Sequence, residues 1–294
     1  METLERLRQS VDATRDLQSI VRTMKALAAV SIRQYERALT SLLDYDQAVA
    51  MGLHIVLADS KDSISHGRQK QPPCLGAIVF GSDQGLCGQF NEVVVGFALR
   101  TMEKFHIAPD RRRILAVGSR VQFSLQQRGA HVQKCMSVPG SAAGITGCVR
   151  DILLLIEEWR ALGDITDVAL FYNAHGPDAA RKPSFLHLLP VRTRRIRDYR
   201  RDHWPSRTLP TYSMAQPALL AALIRQYLFV SVFRAGAESL ASEHASRLES
   251  MQLAERNIEN HLGELEAAYR QRRQEAITVE LLDVVAGYEA LTSS

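Results

Sequence analysis

The sequence has few cysteines, few aromatic residues and no uninterrupted hydrophobic run long enough to cross a membrane. Its four cysteines form no CxxC pair, so neither a disulfide framework nor a cysteine-rich zinc site is expected. The most apolar stretch, residues 218–233, is interrupted by Arg225 and Gln226 and is shorter than the ~20 residues of a membrane span. The N-terminus lacks the apolar core of a secretory signal. These absences predict a reduced cytosolic setting without direct membrane insertion.

Charge is nearly balanced over the chain but is concentrated in one segment. The 294 residues include 36 basic and 32 acidic side chains, and this excess alone is too small to indicate nucleic-acid binding. Residues 181–212 carry nine Lys or Arg against two Asp, a local charge of +7. Tyr199 and Trp204 interleave with the arginines, as in some nucleic-acid binders. The segment therefore has three interpretations: a solvated loop, a nucleic-acid surface, or a surface for acidic protein or lipid headgroups.

The N-terminal segment is predicted to form one long helix. Residues 1–51 contain neither Gly nor Pro, and an unbroken helix of this length extends roughly 75 Å. Such a helix needs a partner to cover its apolar stripe. The predicted stripe repeats at three- and four-residue steps and comprises Leu4, Leu7, Val11, Leu17, Ile20, Met24, Ala28, Ile32, Tyr35, Leu39 and Leu42.

A second long helix is predicted after Pro217, because no proline follows it. Gly236, Gly263 and Gly287 mark expected bends or close approaches, since glycine costs about 1 kcal/mol relative to alanine within a helix. Long helices at both termini suggest an antiparallel pair. The apolar stripe predicted for this helix comprises Met251, Ala254, Ile258, Leu262, Leu265, Tyr269, Ile277, Leu281, Val284, Tyr288 and Leu291.

Between the two helices, the pattern indicates a small α/β domain with a largely parallel sheet. Short β-branched runs at 75–80, 114–117 and 168–172 alternate with helical stretches. Those helical stretches lie near 89–105, 119–128 and 142–161, and a polar linker over 59–73 ends in Pro-Pro. The expected domains are an N-terminal coiled-coil helix (1–58), a central α/β domain (74–192), a basic connector (193–217) and a C-terminal coiled-coil helix (218–294).

The glycine-rich sequence GSDQGLCGQFN, residues 81–91, follows the first predicted strand. A strand, glycine loop and helix in this order can present backbone N–H groups to a phosphate. The spacing fits neither GxGxxG nor GxxxxGK[ST], and no lysine follows, so a tight structural turn is favoured over a nucleotide cradle. Cys87 could act as a nucleophile at a helix N-terminus, but without a nearby basic partner a small packed residue is favoured.

No catalytic centre is visible in the sequence. The nine histidines are scattered without an HExxH pattern, and no serine lies in GxSxG. Glu157 and Glu158 are adjacent, so on a helix they point about 100° apart and do not form an acid/base pair. The glycines at 140, 144 and 147 lack a lysine and indicate a helix entry capped by Ser141 or Thr146.

Three stretches of the sequence match the motifs of one protein family. SDQGLCGQFN from Ser82 is similar to that family's glycine-loop signature, and the first helix fits its pattern I-x-K-A-M-x-x-V-A-A-x-K-M-R through Ile20, Arg22, Met24, Ala28, Ala29 and Arg33. The C-terminal matches are Ser242, Glu243, Arg247, Met251, Ala254, Asn257, Arg273, Gln274, Ile277, Thr278, Glu280, Leu281 and Gly287. Across nearly its full length the chain resembles the gamma subunit of F-type ATP synthases, the central rotor shaft.

This resemblance implies an α/β fold plus a long antiparallel coiled coil, with paired terminal helices and a small, Rossmann-like central domain. The shaft would thread a ring of alternating alpha and beta subunits and couple ion flow to ATP synthesis or hydrolysis there. Its partners would be the alpha, beta and epsilon subunits and the membrane c-ring. Nucleotide would bind those partners, so the resemblance implies no catalysis, cofactor, metal or nucleic acid for this chain. It also implies a peripheral membrane protein on the cytoplasmic face of the cell inner membrane.

The resemblance also implies three sets of contact residues. Met24, Arg247, Arg273, Gln274, Thr278 and Glu280 would contact the beta subunits, where hydrogen bonds form and break during rotation. The glycine loop would contact the acidic lower lever of a beta subunit through Gly85, Leu86, Cys87 and Gly88. A foot on the membrane rotor would comprise Arg194, Arg195, Arg197, Arg200 and Arg201.

Several positions depart from the family pattern, and two rival functions stay open. The departures are Thr23, Ser31, Leu248, Arg270 and Asp283. One rival is a free-standing α/β nucleotide-binding enzyme with coiled-coil arms. The other is a coiled-coil nucleic-acid binder that uses residues 181–212.

Overall fold

The computed structural model describes residues 4–59, 73–175, 181–191 and 211–292. The chain divides into two compact units, Met1–Ala28 with Arg247–Ser294 and Ala29–Ser246. Two long helices, α1 (Leu4–Asp59) and α5 (Gln216–Thr292), contribute to both units. The predicted long terminal helices and the α/β class are therefore confirmed. The domain limits drawn from the sequence stay a prediction.

The second unit contains a five-stranded sheet in the order β3-β2-β1-β4-β5. Four of these strands run parallel, and β5 pairs antiparallel with β4. Each predicted strand and helix of this region is present, with ends shifted by a few residues. The elements are β1 (Leu75–Phe80), α2 (Phe90–Glu103), a 3₁₀ turn (Pro109–Arg111), β2 (Arg112–Val117), α3 (Ser119–Gln127), β3 (Val132–Met136), α4 (Ala142–Ala161), β4 (Asp167–His175) and β5 (Arg181–Leu189).

The two edge strands were missed by the sequence analysis. Strand β3 has the sequence VQKCM and exposes its three middle residues, so it lacks the apolar run that marks a buried strand. Strand β5 contains Pro183, which is tolerated at a sheet edge because no ladder hydrogen bond is needed on the outer side. The segment 181–212, predicted as one basic stretch, thus begins with a strand.

Both faces of the sheet are covered by apolar side chains. All six residues of β1 are buried, as expected for a central parallel strand with helices on each side. Ile78 faces a cluster that includes Ile152 of α4 and Tyr35 of α1. Val79 faces the cluster on the other side of the sheet, which includes Val94 of α2 and Val121 of α3. This double-sided core holds the loops at the carboxyl ends of the strands in fixed positions.

The apolar beginning of α5 packs on the end of α1 within the second unit. Val49, Leu53 and Leu57 form a buried cluster, and Gln216 Nε2 donates to the carbonyl oxygen of Val56 at 3.1 Å. The residues of α5 that contact this cluster are Leu220, Leu223, Ile224 and Tyr227. By length and composition α5 contains one window apolar enough to cross a membrane, a criterion that core helices of soluble proteins also meet.

In the first unit, the segments of α1 and α5 run antiparallel. Arg15 Nη2 lies 2.7 Å from Glu266 Oε1, and Arg22 Nε lies 3.1 Å from Glu255 Oε1. The partner number falls as the α1 number rises, which defines the antiparallel direction. The paired terminal helices expected from the sequence are therefore present.

The seam of α1 has a heptad period, which confirms Leu7, Val11 and Ala28 of the predicted stripe but excludes other members. Leu17 and Ile20 were placed in that stripe, but they are 54% and 55% exposed. A repeat of 3.5 residues per turn keeps one narrow line facing the partner helix, and Thr14 occupies that line although it is polar. The buried α1 residues of this unit are Leu7, Val11, Thr14, Val21 and Ala28.

Gly118 permits a close contact between two loops of the second unit, and replacing it tests the importance of that contact. A Cβ at this position would lie 2.7 Å from the Ser82 carbonyl oxygen, and the backbone has φ +119°. We expect Gly118→Ala to lower the free energy of unfolding by about 2 kcal/mol or more, measured by urea denaturation. Gly140→Ala, with nothing within 4 Å of its Cβ, is the control. Equal stabilities of the two variants would contradict this account.

Candidate functional site

The glycine loop between β1 and α2 is held closed by its own polar side chains. Ser82 N donates to Asn91 Oδ1 at 3.0 Å, and Asn91 Nδ2 donates back to Ser82 Oγ at 2.8 Å. Ser82 Oγ then donates to the Gln84 carbonyl oxygen at 2.9 Å. The polar residues of this motif are thus used within the loop, which explains why serine and asparagine stand at these two places.

Asp83 accepts hydrogen bonds at the N-terminus of α3, the helix that follows β2. Its Oδ1 accepts a hydrogen bond from Ser119 N at 2.7 Å, and its Oδ2 accepts one from Val138 N at 2.7 Å. Ser119 is the first residue of α3, and a helix N-terminus attracts anions through its free N–H groups and dipole. A Cβ on Gly81 would also lie 2.3 Å from Val121 Cβ. The loop is therefore the tight structural turn that the spacing favoured.

The crevice at the reversal of strand order is filled by the protein itself. In doubly wound sheets, ligands bind beyond the carboxyl ends of the strands at this point, here between β1 and β4. Asn173 of β4 is buried and donates to the Phe90 carbonyl oxygen at 3.0 Å. Ser246 Oγ of α5 donates to the Cys87 carbonyl oxygen at 2.7 Å. These contacts leave the usual nucleotide position occupied by side chains.

The four loop residues expected to contact a partner differ in exposure. Leu86 has φ 62° and is 61% exposed, and Gly88 has φ 57° and is exposed. Cys87 between them is buried, with its Sγ 3.6 Å from Ser82 Oγ, as expected for a small packed residue. Gly85 is half-buried. A partner that approaches this loop would first meet Leu86 and Gly88, so contact through all four residues stays a prediction.

Two titratable groups elsewhere in the second unit are held by hydrogen bonds or by burial. His187 Nε2 lies 3.0 Å from Asp167 Oδ1, whose other oxygen accepts from Thr166 Oγ1 at 2.8 Å. Burial, with a smaller effect of Asp151, raises the pKa of Cys148 to about 11, which keeps this thiol protonated at neutral pH. Within the part of the chain that the structure describes, no three His, Cys, Asp or Glu side chains could jointly hold a metal ion.

The expected beta-subunit contact residues all lie on the helices of the first unit. Met24 is half-buried on α1, and Arg247 is buried on α5. The other four lie close together along α5 and are exposed: Arg273, Gln274, Thr278 and Glu280. The expected foot residues Arg194, Arg195, Arg197, Arg200 and Arg201 lie outside the described residues.

The end of α5 is apolar and uncovered. Every side chain described over residues 271–286 is exposed. The sequence analysis had placed part of this end in the paired stripe, but most of it has no described residue of α1 beside it. Because Arg15 faces Glu266 and Leu4 lies eleven residues before Arg15, Leu4, the first described residue of α1, is level with about Ile277. The large exposed apolar residues here are Ile277, Val279, Leu281, Leu282, Val284, Val285 and Tyr288.

Glu255 is a contact residue of the helix pair that sequence reasoning missed. Its carboxylate accepts hydrogen bonds from Lys25 and Arg22 of α1, and Arg22 also lies 3.5 Å from Glu259. Hydrogen bonds from Lys25 and then Arg22 hold the pKa of Glu255 below its ordinary value. The spacing of Arg22 and Lys25 places both on one side of a helix, which was the available signal.

The Glu255 contact predicts a pH-dependent helix pair. Because the pKa of Glu255 is lowered, its stabilising effect is present above the ordinary carboxyl pKa and is lost as pH falls through the lowered value. We expect Glu255→Gln to raise the rate of amide hydrogen exchange over residues 15–28 a few-fold at pH 7. The loss of protection from exchange on acidification should be smaller in this variant. Glu264→Gln, whose carboxylate has only a long contact to His261, is the matched control. Identical exchange in both variants would refute the assignment.

Comparisons with known proteins agree over nearly the whole chain. A family model described as ATP synthase matches residues 3–291. An ATP synthase gamma chain of Methylococcus capsulatus is 25% identical, over 97% of this chain and 98% of that relative. The fold is similar to a chain in the rotor of Euglena gracilis mitochondrial ATP synthase, with TM-score 0.62, 16% identity and coverage of 93% and 98%. A chain of the Tetrahymena thermophila mitochondrial ATP synthase central stalk and c-ring gives TM-score 0.54, 18% identity and coverage of 80% and 99%.

Proposed function

Because this chain belongs to the ATP synthase family and is the central stalk subunit of an F-type enzyme, we propose that it acts as a noncatalytic rotor shaft. Its helix pair would turn inside a ring of alpha and beta subunits and so couple ion translocation through the membrane rotor to ATP synthesis or hydrolysis. The nucleotides would bind the ring subunits. The chain itself would supply length, stiffness and a changing set of side-chain contacts.

The uncovered apolar end of α5 is the observation that carries this proposal. Ile277, Leu281 and Val284 are 47%, 60% and 66% exposed, and soluble proteins rarely leave a continuous apolar surface of this kind uncovered. A surrounding sleeve of other subunits would remove this surface from water on every side of the helix. Arg273 and Glu280 lie on the same end and would provide polar contacts within that sleeve.

A noncatalytic role is supported by the hydrogen bonds in and around the glycine loop. Asp83 already satisfies the N-terminus of α3, and Ser246 and Asn173 already contact the backbone beyond β1. A ligand in the crevice between β1 and β4 would have to displace the Ser246 and Asn173 side chains, and the negative charge of Asp83 in the same loop would oppose a phosphate. This arrangement disfavours the rival interpretation, a free-standing nucleotide-binding enzyme.

We further propose which partners meet which part of the chain. Alpha and beta subunits would surround the helix pair, and Met24 and Arg247 would contact beta subunits together with the residues at the end of α5. Residues 85–88 would meet the lower lever of a beta subunit. The epsilon subunit and the c-ring would bind near the basic segment and its five foot arginines. This arrangement corresponds to a peripheral protein on the cytoplasmic face of the inner membrane.

Two substitutions at the end of α5 test the shaft contacts. We expect Arg273→Ala combined with Gln274→Ala to lower the ATPase turnover of the assembled complex about fivefold, because each lost polar contact costs roughly 0.5–1.5 kcal/mol. Assembly should persist, since the apolar surface is unchanged. The matched control is Gln271→Ala with Arg272→Ala. This variant removes the same two residue types, but their side chains contact Glu275 of the same helix. Unchanged turnover in the first variant would contradict the contact assignment.

Assembly itself provides the test of the proposed role. The chain is co-expressed with the alpha and beta subunits encoded beside it, and native mass and ATPase activity are measured with and without it. One copy per ring, with activity that depends on the chain, is the expected result. A folded chain that joins no ring and instead binds ATP or NAD at micromolar concentration would favour the enzyme. Salt-sensitive binding to oligonucleotides would favour the nucleic-acid binder.

A further inference from the structure

The buried line of α1 is interrupted once within the second unit. Every seventh residue from Leu7 to Tyr35 is buried, and Val49 continues the same series. Leu42, which stands between Tyr35 and Val49 in this series, is only half-buried. Residues 36–48, all of which the structure describes, include no buried side chain. Because a heptad series keeps one line of a helix against its partner, α1 loses close apolar packing over this stretch.

A groove lies at the interruption, and we call it the Leu42 groove. It has a volume of about 140 Å³ and separates α1 from the end of β4 and from α5. Side chains that border a gap lack contact atoms on one side and so lose dispersion attraction. The position of α1 at this level therefore depends on other contacts. The residues that line the groove include Leu39, Leu42 and Asp46 of α1, His175 of β4, and Arg234 and Glu238 of α5.

Two polar contacts connect α1 to its neighbours at this level. Arg234 Nη1 of α5 lies 3.7 Å from Asp46 Oδ2 of α1. His175 Nε2 of β4 lies 3.1 Å from Glu36 Oε1 of α1. The first contact joins the two long helices, and the second joins α1 to the sheet. Polar side chains thus bridge a stretch of α1 where apolar packing is incomplete.

Arg234 is held in place from its own helix. Its Nε donates to Glu238 Oε1 at 2.8 Å, and the Glu238 side chain is only 12% exposed. This hydrogen bond raises the pKa of Arg234, and Asp46 adds a smaller effect in the same direction. A carboxylate with so little exposure needs its charged partner. Glu238 therefore fixes the guanidinium toward Asp46, which reduces the loss of side-chain freedom that weakens most ion pairs near a surface.

We propose that the Leu42 groove is a joint between α1 and α5 and that Arg234 is the positioning residue that sets its stiffness through Asp46. A load on α1 would displace the helix toward the groove, because few apolar contacts oppose that movement. The ion pair would limit the displacement. The inference rests on the proposed shaft function, since α1 bears such a load when the chain turns within a complex.

Amide hydrogen exchange of the full-length chain tests whether the joint exists. We expect Asp46→Asn to raise the exchange rate of residues 36–48 about threefold or more and to leave strand β1 unchanged. The matched control is Asp44→Asn, because Asp44 is exposed and forms no ion pair within the described part of the chain. Arg234→Met should have a larger effect, since it also leaves Glu238 unpaired. Adding Asp46→Asn to Arg234→Met should change the rate by less than about twofold, because the contact is already lost.

Rotation of the assembled complex tests the role in stiffness. A bead is attached to the second unit, and its angular fluctuation is recorded during the pauses of ATP-driven rotation. We expect the angular variance to be about twofold larger with Asp46→Asn than with the natural chain, because a weaker contact permits wider displacement. Arg234→Lys, which keeps the positive charge, should lie between Arg234→Met and the natural chain. Asp44→Asn should equal the natural chain.

The outcomes separate this inference from the proposed function. Equal exchange in Asp46→Asn and Asp44→Asn, or an increase spread over the whole second unit, overturns the joint. A local increase in exchange with unchanged angular variance overturns the role of Arg234 in stiffness and leaves the shaft function intact. A natural chain that joins no complex overturns the shaft function and with it the role in stiffness, while the exchange comparison still decides whether the joint exists.

Discussion

The unequal reach of two antiparallel helices is the constraint on which the functional end of this protein depends. Arg15 faces Glu266 and Arg22 faces Glu255, so the register is set by ion pairs as well as by a narrow seam. That register places Leu4, the first described residue of α1, level with about Ile277, while α5 continues to Thr292. This part of α5 carries exposed apolar side chains that no described residue of α1 covers. The proposed sleeve of other subunits would cover this surface.

The second unit uses a nucleotide-binding architecture without a vacant nucleotide site. Its parallel sheet places loops at the carboxyl ends of β1 and β4, where ligands usually bind. Asn173 and Ser246 donate hydrogen bonds to the Phe90 and Cys87 carbonyl oxygens at this edge, and Asp83 accepts one from the backbone N–H of Ser119. The glycines allow these loops to approach each other closely, as the distance from Gly118 to Ser82 shows. The same fold thus holds these loops together as a rigid body.

Ion pairs between neighbouring helices hold elements of the chain together in each unit. In the first unit, Lys25 and Arg22 share Glu255 across two helices and reinforce a seam that contains the polar Thr14. In the second unit, Arg128 after the last residue of α3 pairs with Glu92 of α2. Which charges are paired depends on which carboxylates the fold brings near.

The sequence by itself determined the long helices, the alternating strands and the family motifs, because each arises from neighbouring residues in a repeating pattern. Strand β1 was located at both ends, since a fully buried strand needs a continuous apolar run. The sequence did not reveal the edge strands β3 and β5, whose outer sides need neither apolar residues nor hydrogen bonds. It also placed Leu17 in the seam and Leu281 in the paired stripe. Only the tertiary structure decided those positions and the internal use of Asp83, because helix register and loop contacts depend on residues distant in sequence.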